Sequence, residues 1–310
     1  MKPCSAISLI FIYTLLLHSC GFSPTSLQNS KTAQYLTNNP IVASSAKLIA
    51  GEGFGDKYFY YPNSDSPLTP ASLKLSYTDI RIPSTGHTSL HGWFLPAKNG
   101  VKKSIGTVVY HHGNEGSVGL YLTRVPWLVE ANFNVIMYDY RGYGKSTGTV
   151  TRRGLIDDAA AAIRYALQRD DLKHTKLISY GYSLGGAKST VAHAESKFGP
   201  RLVAAVNEAS FASYKDMAEI KGGLTAKRLT KDDYSPVNYL KRTDLPVFLI
   251  HGTHDSIVPI SQATKLKASS PHKKNIYYWK IQGATHFTTL THHHNATRKR
   301  LLTALQALLK

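Results

Sequence analysis

Leu177-Ile178-Ser179-Tyr180-Gly181-Tyr182-Ser183-Leu184-Gly185-Gly186-Ala187 passes from an apolar run through glycines into small residues. The pattern predicts a buried strand, a sharp turn and a helix, with G-x-S-x-G at the turn. A strand-to-helix reversal this tight forces Ser183 into a strained backbone conformation and lifts its hydroxyl out of the sheet. Side chains at positions 181 and 185 would collide with neighbouring backbone, so glycine is required at both. The helix N-terminus behind Ser183 favours negative charge developing beside it. The plain alternative is a glycine-rich turn carrying an incidental serine.

A serine hydroxyl is a poor nucleophile until a base takes its proton. A histidine and an orienting acid must therefore come from other strand ends, in the chain order Ser, acid, His. Leu249-Ile250-His251-Gly252-Thr253-His254-Asp255-Ser256-Ile257-Val258-Pro259 puts Asp255 just past an apolar run. Gly283-Ala284-Thr285-His286-Phe287 puts His286 past the next one. The spacings, 72 and 31 residues, leave room for intervening helix and strand. A lone Asp is usually a turn residue and a lone His a surface residue, but three matches in the required order argue against coincidence.

An oxyanion developing on the attacked carbonyl needs two donors. The expected ones are the backbone N–H of Leu184 and that of Asn114, in the loop His111-His112-Gly113-Asn114-Glu115-Gly116. Gly113 is expected to let the chain bend so that the Asn114 N–H faces the site. Metal binding by His111 and His112 is the alternative, without acidic or cysteine ligands at suitable spacing.

Elsewhere, short apolar runs alternate with helical stretches, which predicts an α/β domain with a largely parallel sheet covered on both faces. Ser76–Pro83 and Leu90–Leu95 read as an opening hairpin. Thr107–His111, Val135–Tyr138, Leu177–Tyr180, Leu202–Val206, Val247–Ile250 and Asn275–Ile281 read as strands. Leu155–Gln168 is expected as an amphipathic helix opened by Asp157 and Asp158, and Thr297–Leu309 as a closing helix.

The 310 residues, 42% hydrophobic and 18% charged, are too long and too apolar for a disordered chain or a disulfide-stapled mini-protein. Cys4 and Cys20 are the sole cysteines, so the folded body has no cysteine nucleophile, disulfide framework or cysteine metal site. Lys+Arg 37 against Asp+Glu 19 gives a net charge of +18. That balance attracts nucleic acid, anionic lipid or acidic substrates. The basic groups Arg152-Arg153, Lys227-Arg228 and Arg298-Lys299-Arg300 lack an interleaved aromatic recognition motif, so solvated surface charge is expected and nucleic acid is not. His292-His293-His294 reads as an exposed loop.

Lys2 and the apolar run Ile7–Leu17 read as a secretory signal, since eleven helical residues fall short of a ~30 Å hydrocarbon core. Leu17-His18-Ser19-Cys20 resembles the bacterial lipobox, although His18 stands where a small residue is usual. The resemblance implies a signal peptide over 1–19, lipidation of Cys20, and an exported protein held on a membrane. With Gly21 after the cysteine, the periplasmic face of the outer membrane is expected. An ordinary cleaved signal and an uncleaved anchor are the alternatives. Residues 20–54 read as a polar tether and N-terminal extension.

The constellation from about Tyr58 to Lys310 resembles the α/β-hydrolase superfamily, in its small-capped serine hydrolase branch of depalmitoylase-, monoacylglycerol-lipase- and serine-aminopeptidase-like enzymes. Three further segments carry the likeness: Asp139-Tyr140-Arg141-Gly142-Tyr143-Gly144-Lys145-Ser146, matching D-x-R-G-x-G-x-S; the His112-Gly113-Asn114 loop; and H-G-x-x-D-x-x-V-P at 251–259. The resemblance implies an α/β-hydrolase domain over 55–310 with a short cap at about 211–241. It also implies a triad of Ser183, Asp255 and His286, but not a substrate, because this fold hosts many chemistries. The acyl-enzyme chemistry needs no cofactor or metal, and because alkoxide and thiolate leave more readily than amines it favours a small acyl ester or thioester substrate, lipid esters such as palmitoyl esters among them. Glu208 is the runner-up for the acid, since some relatives carry theirs after the sixth strand. An acyltransferase using the same residues and a catalytically silent binding module are the other readings.

Overall fold

Strands β4 (Gly106–His111), β6 (Phe133–Tyr138), β7 (Leu177–Tyr182) and β9 (Val247–Gly252) are buried along their whole length. That is what largely apolar runs become when helices cover both faces of a parallel sheet. The structure, a computed structural model, describes residues 59–270, 273–291 and 294–310. The leader, Cys4, Cys20, the tether and the His292-His293 pair lie outside the described residues.

The main sheet has eight strands in the order β10-β9-β8-β7-β4-β6-β3-β2, where β2 is Thr78–Pro83, β3 Ser89–Leu95, β8 Leu202–Glu208 and β10 Ile276–Ile281. The expected hairpin β2–β3 pairs antiparallel, and β3 pairs antiparallel with β6. Every other neighbouring pair is parallel. A separate parallel pair joins β1 (Tyr61–Pro62) to β5 (Glu115–Gly116). Strands β7, β8 and β9 each run two residues past the predicted ends. Their pairing continues through Tyr182↔Glu208 and Glu208↔Ile250, so the polar ends of the strands stay in the sheet.

Ile178, Tyr180 and Tyr182 of β7 share one core cluster with Val108, Val206, Ile250 and, from α6 (Asn295–Leu309), Leu301 and Leu305. Ile156, Ala159 and Ala160 of α2 (Arg152–Gln168) pack with Val191 and Ala192 of α3 (Leu184–Glu195). Two short helices, α1 (Pro126–Glu130) and α5 (Ile260–Ala268), complete the body.

The start of α2 corrects the sequence reading. Its N-cap is Thr151, whose hydroxyl accepts the Gly154 N–H at 3.0 Å. Asp157 and Asp158 therefore lie beyond the first turn. Asp158 is buried and pairs with Arg141 at 2.7 Å, while Asp157 pairs with Arg153 at 2.9 Å. The expected cap stretch holds α4 (Tyr214–Leu229), bent at Gly223 (φ 72°, ψ −169°). Residues 215–231 do not belong to the compact unit made of residues 52–214 and 232–310; within them Lys227 pairs with Glu219. No helix among the described residues is long and apolar enough to cross a membrane.

Candidate active site

Ser183 sits between β7 and α3 with φ 53° and ψ −115°, a conformation that costs on the order of 1–3 kcal/mol outside glycine. The surrounding structure enforces it. The Ser183 N–H donates to the Glu208 carbonyl at 2.8 Å, and the Ser183 carbonyl accepts the Gly186 N–H at 3.2 Å. A Cβ on Gly181 would lie 2.3 Å from the Gly186 nitrogen, and one on Gly185 2.0 Å from the His111 carbonyl oxygen. Both glycines are thus needed for close backbone approach. Ser183 keeps 9% of its surface exposed.

Asp255 lies in the turn after β9, where its Oδ1 accepts the N–H groups of Ile257 (3.0 Å) and Val258 (2.8 Å). Its Oδ2 accepts from His286 Nδ1 at 2.8 Å. His251 Nε2 stands 3.2 Å from the same oxygen and donates to the Val258 carbonyl at 2.7 Å. Burial raises the Asp255 carboxyl, but the hydrogen bonds from His251, His286 and Val258 and attraction to His286 hold it well below the usual carboxylate range. The carboxylate is ionised and fixed at both oxygens.

With Nδ1 donating to Asp255, the neutral His286 ring carries its lone pair on Nε2. The ring lies 5.2 Å from that of Tyr182, the residue before Ser183, and the Tyr182 hydroxyl donates to the His286 carbonyl at 3.0 Å. Acid and base are therefore directly bonded, while the serine joins them through Tyr182. Ser183 Oγ and His286 Nε2 form no hydrogen bond among the described residues, a link that commonly tightens only with substrate.

Asn114 is held by its own carbonyl and side chain. Tyr61 N–H (3.3 Å) and Tyr143 hydroxyl (2.9 Å) donate to its carbonyl, and its amide donates to the Phe59 carbonyl at 2.7 Å. His112 Nδ1 donates to the Gly113 carbonyl at 2.8 Å, which fixes the peptide plane that carries the Asn114 N–H. Burial pushes His112 down to about 4, against partial compensation from Asp139 and the Gly113 carbonyl, so it is neutral at pH 7. Gly113 sits against the Tyr121 ring. It does not adopt positive φ; a Cβ there would meet the Tyr121 hydroxyl at 2.8 Å. Leu184 is the first residue of α3, its N–H at the helix N-terminus directly after the serine.

His111 is taken up by Tyr138 (2.6 Å) and Ser179 (2.9 Å). Glu208 does not touch His286; its carboxylate accepts from Arg124, Tyr180 and Thr289. Sequence reasoning gave no role to His251, Arg124 or Tyr182. His251 had a legible signal, four residues before Asp255 in H-G-x-x-D; Arg124 had none.

A family model described as "alpha/beta hydrolase fold" matches residues 106–207, and one described as BD-FAE matches 188–269. The Escherichia coli K12 protein named "Uncharacterized protein YfhR" is 35% identical over 224 residues, 71% of this chain and 76% of that protein. The Arabidopsis thaliana "Alpha/beta hydrolase domain-containing protein WAV2" is 31% identical over 243 residues, 71% and 75% of the two chains. The Pyrococcus furiosus esterase Pf2001 shares the fold, with a TM-score of 0.68 at 20% identity over 81% of this chain and 98% of its own. At such identity and coverage the curated relatives carry kinship and not only likeness of shape, and the chain belongs to the α/β-hydrolase family.

Proposed function

We propose that this chain is a serine hydrolase that cleaves carboxylic ester or thioester bonds through an acyl-enzyme at Ser183. The observation that carries the reading is the 2.8 Å bond from His286 Nδ1 to an ionised Asp255 that also accepts the Ile257 and Val258 N–H groups and has His251 Nε2 at 3.2 Å. It leaves Nε2 as the free base beside the residue that precedes the strained serine. In the proposed reaction Nε2 takes the Ser183 proton as Oγ attacks the acyl carbonyl. Asp255 keeps the imidazole oriented and stabilises its cation. The N–H groups of Leu184 and Asn114 bind the oxyanion. His286 then protonates the leaving group, and water repeats the cycle on the acyl-enzyme. Alkoxides and thiolates leave more readily than amines, which favours esters and thioesters over amides.

The test is hydrolysis of p-nitrophenyl esters of graded acyl length, a thioester and an aminoacyl amide by the full chain. Turnover of at least one ester or thioester, above that of the amide, is expected. Preferred turnover of the amide, or none of any substrate, would contradict the proposal.

The leader motif Leu17-His18-Ser19-Cys20 supports a second part of the proposal, that the protein is exported and lipidated on Cys20. Cells fed alkynyl palmitate should label the wild-type chain in the membrane fraction. Cys20→Ser should lose both the label and the membrane association; a variant that keeps them would refute this placement.

A further inference from the structure

Glu208 and Arg124 form a buried ion pair at 2.6 Å that none of the proposed chemical steps uses. Its contacts converge on the two halves of the site. Arg124 Nη2 and the Thr289 hydroxyl donate to Glu208 Oε1, and the Tyr180 hydroxyl donates to Oε2 at 2.6 Å. The Glu208 carbonyl accepts the Ser183 N–H at 2.8 Å. Arg124 Nη1 donates to the Phe287 carbonyl at 3.2 Å, and its Cζ lies 3.7 Å over the Tyr182 ring. Tyr182 in turn faces the His286 ring and holds the His286 carbonyl. The pair thus holds the His286–Thr289 loop through Phe287 and Thr289 and meets β7 through Tyr180 and Tyr182, while the Glu208 main chain bonds the serine elbow.

We propose that the Arg124–Glu208 pair positions His286 against Ser183 and keeps the electric field at the imidazole balanced. The inference rests on the reading of Ser183, Asp255 and His286 as a triad. A buried ion pair stabilises a fold little better than well-packed apolar side chains would, so what distinguishes this one is the set of atoms it fixes. Glu208 also stands where some relatives carry their catalytic acid, yet its carboxylate is fully taken up by Arg124, Tyr180 and Thr289 while Asp255 serves the histidine. The pair is therefore a positioning element.

Among the described residues, charged and titratable groups face the His286 region from β9, β7 and α6. Asp255, with His251 beside it, faces the ring from the β9 side. Tyr182 faces it from β7, with Tyr110, Tyr121 and Tyr180 packed below. Burial keeps these phenols protonated at neutral pH. Arg124 stacks on the Tyr182 ring and pairs with Glu208, and Arg298 of α6 lies within electrostatic reach of both; in the proposal the opposite charges of the pair offset one another at the imidazole. Removing one charge unmasks the other at short range, where little water screens it.

The experiment follows the pH dependence of fluorophosphonate labelling at Ser183 in the full chain, because the acid limb of that profile reports protonation of the base. Glu208→Gln leaves the Arg124 cation uncompensated and should move the midpoint down by about half a pH unit. Arg124→Gln leaves the Glu208 anion and should move it up by a similar amount. The double variant should return the midpoint to the wild-type value while its plateau rate stays about tenfold low, since the grip on Phe287 is lost. Arg124→Lys keeps the charge without the planar fork, so it should lower the rate with the midpoint unmoved. Two single variants that shift together, or a midpoint unmoved in Arg124→Gln, would overturn the inference. Arg124 is partly exposed, so this variant decides the matter even if Glu208→Gln does not fold. Wild-type Ser183 that takes no label would refute the triad itself; labelled wild type with unmoved midpoints would refute only the role of the pair.

Discussion

Ser183→Ala should lower kcat/KM for p-nitrophenyl butyrate by about 10⁴- to 10⁶-fold. The substitution removes one oxygen and leaves the elbow unchanged, because the backbone at 183 is held by the Glu208 carbonyl, the Gly186 N–H and two glycines that no side chain can replace. The variant should therefore melt at or slightly above the wild-type temperature, since a strained site is not kept for stability. Residual turnover would come from the proposed oxyanion donors, the Leu184 and Asn114 N–H groups, and substrate binding. A Ser183→Ala protein with wild-type kcat/KM would remove the nucleophile from the account.

Asp255→Asn should cost about 10⁴-fold in kcat with the fold retained. The Asn carbonyl can still accept the Ile257 and Val258 N–H groups that now bond Oδ1. Its NH₂ then occupies the place of Oδ2, facing His286 Nδ1 and His251 Nε2. A donor there drives His286 to carry its proton on Nε2, the nitrogen that must act as base. A stability signature accompanies this. The Asp255 carboxyl is held below its ordinary value near 3.8 by its histidine and backbone donors. Its contribution is thus present at neutral pH and is lost as pH falls below about 4. The melting temperatures of wild type and Asp255→Asn should differ most at pH 7 and converge below pH 4. A constant gap, or full activity in the variant, would contradict the assignment.

Much of the architecture was legible because it rests on local chemistry. The runs that became β4, β6, β7 and β9 are largely apolar, and the steric demands on residues 181 and 185 follow from the turn itself. The Asp255–His286 bond could be anticipated from residue order because each residue stands just past a strand. What escaped the sequence depends on side chains distant in the chain. Arg124 and Thr289 meet Glu208 across 84 and 81 residues, and no spacing rule links them. The two-residue pairing of Tyr61 with Glu115 is too short to leave an alternating pattern. The start of α2 was misplaced because a neutral threonine cap outcompeted the acidic pair as the first-turn signal.

The central claim is that Ser183 is activated by His286 and Asp255. Its most direct measurement is the site and rate of fluorophosphonate labelling, mapped by peptide mass, in the wild type and in His286→Ala. The account predicts a single adduct on Ser183 in the wild type, formed about 10³-fold or more slowly without the imidazole. Absence of label on Ser183, or labelling at the same rate in both proteins, would contradict it.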